Sequence, residues 1–260
     1  MNAPTSHNDK IVDQHTQQAP AYAALTQSMA TDRSAALRAI TGAGPDDDLL
    51  DLACGPGSLT LDLAPHVGSA TGLDLTPAML EQARAAQEKL GIEGVNWTQG
   101  DAAALPFPDN AFSLVTSSAA FHHFDDPAKV LSEMARVCRP GGRVVVMDVT
   151  PEAGKTAAYD RMERMRDPSH GHAHSIDELV AIGDSLGMTE PVTRTRMTGP
   201  MPYEAVLATS FPEDHSREEL LALMREDAEA GEDRLGFKAE FADGKVLVTY
   251  PMSTLVWMMS

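Results

Sequence analysis

Cysteine is nearly absent: the 260-residue chain has two, Cys54 and Cys138, which rules against a disulfide-stapled secreted domain. Cys54 lies in a glycine-rich stretch and Cys138 at the end of an amphipathic segment, so both are expected to pack as small apolar side chains. Basic residues are also scarce, with 20 Lys and Arg against 38 Asp and Glu and a formal charge of −18. A field of that sign repels nucleic acid and anionic membrane faces. Long apolar runs are missing, since none approaches the roughly 18–20 residues needed to cross a bilayer. The first twenty residues, MNAPTSHNDKIVDQHTQQAP, have no apolar core and do not read as a secretory signal. The expectation is a cytoplasmic monomer or homodimer with no nucleic-acid partner and no membrane insertion.

What is present is a regular alternation. After a break at Gly42-Ala43-Gly44-Pro45, short apolar strands alternate with helical segments, the pattern of a doubly wound α/β sheet. Strands are expected at Asp48–Ala53, Ser69–Asp74, Val95–Gln99, Phe112–Ser117 and Arg143–Val149. Helices are expected at Ser58–Ala64, Thr76–Leu90 and Ala128–Val137, the second capped by Thr76 with Pro77 at its first position. Residues 1–20 read as flexible or loosely docked, with helical patterning near Ala19–Ala39. Beyond residue 150 come helices at Lys155–Arg166, Ile176–Leu186 and Ser216–Ala230, and strands near Glu190–Met197 and Val246–Trp257. Segments 151–176 and 199–240 are expected to cap the ligand edge of the sheet.

Ligands of such sheets bind at the carboxyl ends of the strands, and four features would meet there. The loop Asp51-Leu52-Ala53-Cys54-Gly55-Pro56-Gly57 has glycines that allow sharp turning and close backbone approach. Asp51 could brace that loop or accept hydrogen bonds from an ammonium group. Asp74, one α-β unit later, could accept both hydroxyls of a ribose. Gly100-Asp101-Ala102 offers a carboxylate to an adenine amino group, and Ser117-Ser118 ends the fourth strand beside the reacting end of the ligand. A dinucleotide fingerprint is the competing reading of the glycine loop, but it wants a small residue where Thr60 stands.

The segments LLDLACGPG, GLDLTPAML, GDAAALPFPDNAFSLV and HHFDDPAKVLSEMARVCRPGGRVVVMDV resemble class I S-adenosylmethionine (SAM)-dependent methyltransferases of the ubiquinone and menaquinone biosynthesis type. The resemblance implies a Rossmann-like, seven-stranded sheet with its last strand antiparallel, helical cap insertions, and SAM as cofactor with S-adenosylhomocysteine as product. It divides the chain into an N-terminal arm and helix over the cofactor (1–40) and a methyltransferase domain (41–260). It puts Ala53, Gly55 and Gly57 at the methionine moiety, Asp74 at the ribose, Asp101 and Ala102 at the adenine, Leu75 and Met79 near the adenosine, and Tyr22 over the cofactor. RMRDPSHGH is similar to a bacterial branch carrying RDPSH after the fifth strand. That branch tends to have Arg where this chain has Ser118 and His172, so its acceptors do not carry over.

The acceptor side is marked by histidines. Methyl transfer needs alignment and exclusion of water, and a base only where the nucleophile must lose a proton. His122 and His123 follow the fourth strand and, with His170, are the candidate catalytic residues; the alternative is a turn that packs Phe121 and Phe124. His170, His172 and His174 would share one face of an extended segment and could form a metal triad, yet polar loops carry histidines without metal, and the expected site holds none. Met162, Met165, Met188, Met197 and Met201 suit either an irregular apolar acceptor or ordinary cap packing. Two other readings stay open: a SAM-binding enzyme that catalyses a cyclisation, and a non-catalytic SAM-binding partner.

Overall fold

The computed structural model describes residues 6–28 and 33–260. The parallel core is built from β1 (Asp48–Leu52), β2 (Ser69–Asp74), β3 (Val95–Gln99), β4 (Phe112–Ser118) and β5 (Cys138–Val149). These strands pair in the order β3-β2-β1-β4-β5. The sheet continues through β8 (Lys245–Met258), antiparallel to β5, and ends on β6 (Val192–Pro202). That seven-strand path has one reversed strand, the last in sequence. A short β7 (Glu240–Ala242), which the sequence pattern did not show, adds to β8 as a hairpin.

The central strands read as continuous apolar runs because helices cover both faces. Their side chains sort by alternation. Leu50, Leu52 and Val115 enter one cluster with α5 (Pro127–Val137) and α7 (Ile176–Ser185). Leu49, Leu114 and Val145 enter the other, with α2 (Arg33–Thr41) and α3 (Ser58–Leu63). Each of these six side chains is completely buried, a contribution of roughly 1.5–3 kcal/mol apiece.

The cap has a core of its own. Tyr159 and Met162 of α6 (Thr156–Arg166), Tyr203 and Leu207 of α8 (Tyr203–Leu207), and Leu220 and Met224 of α9 (Arg217–Ala230) pack around Phe237 and Val248. α8 was not legible as a helix, being five residues long. Of the methionines expected there, Met162 is buried in this core and Met165 and Met201 pack against it. Met188 joins the main core instead, and Met197 is exposed on the edge strand β6.

Three local expectations are corrected. The N-terminal region is helical from His7, as α1 (His7–Ser28), while residues 1–5 and 29–32 lie outside the described residues. Ser6 and Asp9 begin the helix by reciprocal hydrogen bonds. Its inward face was hidden in the sequence because it includes Gln14 and Gln18, buried as hydrogen-bonding groups rather than as apolar ones. Thr76 precedes α4 (Pro77–Leu90) without a side-chain cap; the Asp74 carboxylate accepts the Thr76 N–H instead, at 2.8 Å. Arg139–Gly142 belongs to β5 rather than to a closing loop. Among the described residues no helix is long and apolar enough to cross a membrane.

At the sheet's opposite edge Arg143 ties three elements together. Its guanidinium makes a two-pronged pair with Asp47 at 2.6 and 3.0 Å and donates to the carbonyls of Thr41 and Gly42. Burial alone would raise the Asp47 carboxyl, but hydrogen bonds from Arg143, Ser113 and the Gly44 N–H hold it down at about 2. A carboxylate depressed in the fold stabilises above its unfolded value, near 3.9, and loses that effect as pH falls through 2. Asp47→Asn is therefore expected to cost about 1–3 kcal/mol at pH 7. In urea denaturation, the gap from the unsubstituted chain should shrink steadily below pH 4.

Candidate functional site

A cleft of about 390 Å³ opens at the carboxyl ends of β1, β2 and β4, where the strand order reverses between β1 and β4, the usual ligand position in such sheets. Asp51, Ala53, Gly55, Asp74, Leu75, Met79, Asp101, Ala102 and Ser118 all line it, as does Tyr22 of α1. Two residues expected with them do not. Ser117 is fully buried in the sheet with its hydroxyl unpartnered, because alternation along β4 sends Ser118 to the cleft instead. Gly57 faces Trp97: a Cβ there would stand 2.5 Å from the indole. Its φ of 78° starts α3, so its smallness serves helix–sheet packing.

The carboxylates divide their work differently from the expectation. Asp74, not Asp51, braces the glycine loop, accepting the Gly55 N–H at 2.8 Å while also holding Thr76. Asp51 is buried and accepts the hydroxyls of Thr60 at 2.6 Å and Thr116 at 2.8 Å. Thr60 is thus required for its hydroxyl, which ties α3 to β1. Burial pushes the Asp51 carboxyl up to about 6 against those two hydrogen bonds, with Asp74 adding repulsion. Ala53 has a φ of 49°, a left-handed conformation at the loop that faces the ligand. Asp101 accepts the Ala103 N–H at 2.8 Å and the Asn8 amide at 3.1 Å. Cys54 is buried behind the loop, and burial drives its thiol well above the usual range.

Beyond Ser118 the cleft widens under the cap. Its walls there include Met147, Val149, Tyr159, Met201, Val206 and Met252. Glu163 and Arg166 also reach it as a largely buried ion pair. This pair was not legible in the sequence, since both residues sit in a polar stretch of α6.

His122 and His123 stand at the junction of the two halves, on a single 3-10 turn, Phe121–His123. The His122 Nδ1 pairs with the Asp148 carboxylate at 2.7 Å. Burial would lower this imidazole, but Asp148 pulls it above the ordinary histidine range. The His123 Nδ1 faces the Ser169 carbonyl at 3.0 Å. A carbonyl only accepts, so Nδ1 carries the proton and Nε2 is the basic nitrogen of the neutral ring. Burial, then the neighbouring His122 and His15, keep His123 well below the ordinary range. The same turn buries Phe121 in the main core, so packing and site construction share one element.

His170 does not line the cleft. Its ring lies behind His122, 5.4 Å between centroids, with Nε2 on Asp160 at 2.9 Å and Nδ1 unpartnered. His172 meets the same carboxylate at 2.7 Å and packs its ring 4.7 Å from that of His174, but the ligand atoms brought together on this segment are those of His172, His174 and Glu178, without His170. Two further cleft residues were missed. His15 of α1 and Asp167 after α6 lie about 150 residues apart in the sequence, and no local pattern couples them.

Residues 50–146 match the family described as "Methyltransferase domain". The uncharacterized methyltransferase YcgJ of Bacillus subtilis is 37% identical over 136 residues, 52% of this chain and 54% of that protein. The demethylmenaquinone methyltransferase of Thermus thermophilus is 46% identical over 105 residues, 40% and 47% of the two chains. The chain thus matches about half the length of these curated relatives. A solved structure from Bacillus halodurans, assigned as a methyltransferase, superposes with a TM-score of 0.73 at 27% identity, covering 87% of this chain and 99% of that one.

Gly57→Ala tests the packing role of this loop. The Cβ clash and the left-handed φ are together expected to cost about 1–3 kcal/mol. Adding Trp97→Leu should recover the overpacking part and leave the backbone strain, measured as a double-mutant cycle in denaturant.

Proposed function

We propose that the protein transfers a methyl group from SAM to a small-molecule acceptor, a reading supported by the methyltransferase-domain match over residues 50–146 and by the partial-length similarity to methyltransferases of the ubiquinone and menaquinone type. The observation that carries this reading is the continuity of the cleft. One end has the backbone and carboxylates suited to a nucleoside amino acid, the other is an apolar chamber, and a histidine pair stands between them.

In this reading the SAM amino-acid end lies along Asp51–Gly55, its ribose on the remaining lone pairs of Asp74, and its adenine between Met79 and Ala102 with Asp101 at the edge. The sulfonium methyl then points past Ser118 toward the chamber. The acceptor's electron pair forms the new bond to the methyl carbon while the C–S pair returns to sulfur. Where the nucleophile carries a proton, His122 receives it at Nε2, held in place by Asp148 as in other carboxylate-oriented imidazoles. The apolar walls and α1 exclude water from the sulfonium, and alignment supplies the rest.

Incubation of the protein with methyl-labelled SAM and a cell extract should yield a labelled small product and S-adenosylhomocysteine. Turnover without S-adenosylhomocysteine would overturn the transfer. Asp51 makes SAM binding pH-dependent, because an ammonium partner needs the ionised carboxylate. With a carboxyl at about 6, roughly nine-tenths is protonated at pH 5, so affinity by calorimetry should fall about tenfold between pH 7.5 and 5. Asp51→Asn should bind weakly at pH 7.5 and change little over that range.

A further inference from the structure

One group of cleft residues is left over by the transfer reading. His15 of α1, His123 of the turn after β4 and Asp167 after α6 each offer a ligand atom, and these atoms all lie within 4.8 Å of one another. All three residues line the cleft. The His15 and His123 rings meet edge to face, 4.9 Å between centroids. Two imidazoles and one carboxylate, brought together from three separate elements, are a donor set for a divalent transition metal that leaves coordination positions open.

The outer contacts of the group are those such a site requires. Metal-bound histidines commonly donate their second nitrogen to a carbonyl or carboxylate, and the His123 Nδ1–H donates to the Ser169 carbonyl, leaving Nε2 as the ligand atom. Asp167 is held by the Gln18 amide at 2.8 Å on one oxygen and by the Ser169 N–H and hydroxyl on the other. His15 has no hydrogen bond among the described residues, so its ring is the one free to turn. With metal–ligand bonds of about 2.0–2.2 Å, the three atoms must draw together by up to about 1.5 Å, a shift that rotation of the His15 side chain would have to supply.

We propose that His15, His123 and Asp167 bind one divalent transition metal ion at the seam between the two halves of the cleft, with its open positions turned toward an oxygen-bearing acceptor. The acceptor class follows: an enol, phenol or hydroxy acid whose oxygen is held by the ion. Bound there, the ion would polarise that oxygen; the bonds made and broken at the methyl carbon are those of the proposed transfer. This assignment rests on the transfer reading only for the identity of the acceptor; the ion site stands on the three side chains. It also departs from the metal-free site that the sequence led us to expect.

A second, more exposed group, His172, His174 and Glu178, also brings ligand atoms together, so the test removes it first. The full chain carrying His172→Ala and His174→Ala is stripped with chelator and titrated with Zn2+ and with Co2+, the latter read by its visible absorption. The expected result is one bound equivalent and a structured Co2+ band. Adding His15→Phe should abolish both while thermal unfolding stays cooperative, and adding Asp167→Asn should do the same. Metal uptake by the histidine-deleted background that is unchanged by His15→Phe, or no uptake at all, would overturn the site. SAM binding and methyl transfer are measured in parallel, with and without ion. Stoichiometric Zn2+ with no methyl transfer to any acceptor would sink the transfer reading and leave the site intact. Undiminished transfer by the stripped, ion-free protein would overturn the role given to the ion.

Discussion

The Asp74 carboxylate is the contact on which the architecture of the glycine-loop end of the cleft depends. It ends β2, is buried, and accepts one backbone N–H from the glycine loop after β1 and one from the turn that begins α4. Two loops that would otherwise be independent are thereby fixed against a single rigid strand end. Hydrogen bonds to a charged acceptor are stronger than neutral ones, and a buried carboxylate must be satisfied. The shape of the loop and the start of α4 are consequently set together.

Construction of the other half follows a different logic. There the parallel strands end, β8 reverses, and the chain between β5 and β8 folds back as a cap with its own buried cluster. That cluster is separate from the two that sandwich the parallel strands; it packs on the sheet through Val246 and Val248 of β8, and the cleft lies between the cap and the carboxyl ends of the parallel strands. α1 closes the remaining side through buried Ile11, Ala19 and Ala23 and through polar contacts, Gln18 to Asp167, His7 to the His123 carbonyl and Asn8 to Asp101.

Paired buried charges recur, two of the three between separate elements and one within α6. Arg143 with Asp47 holds the amino-end edge of the sheet, Arg166 with Glu163 sits in the cap chamber, and His122 with Asp148 lies at the junction. Such pairs add little net stability compared with apolar packing, and removing one partner is costly. Their value here is geometric. Each fixes one orientation for a long or titratable side chain that sequence patterning alone leaves undetermined.

The order of strands and helices, the glycine loop and the carboxylates after β1, β2 and β3 were legible in the sequence, because periodicity and turn chemistry act over a few residues. Ser69–Asp74 and Val95–Gln99 match the expected strands at both ends. Asp51, Ala53, Gly55, Asp74, Leu75, Met79, Asp101, Ala102 and Ser118 reach the cleft because strand ends place them there. Tertiary structure alone decided the rest. It turned Gly57 to Trp97, buried Ser117, set His170 behind His122 and made α1 a wall through glutamines. It also brought His15, His123 and Asp167 within reach of one another. Local pattern reports which way a residue faces on its own element, but contacts across more than a hundred residues depend on how whole elements pack. The sequence by itself therefore determined the sheet and the glycine-loop end of the cleft, and packing determined the end beneath the cap.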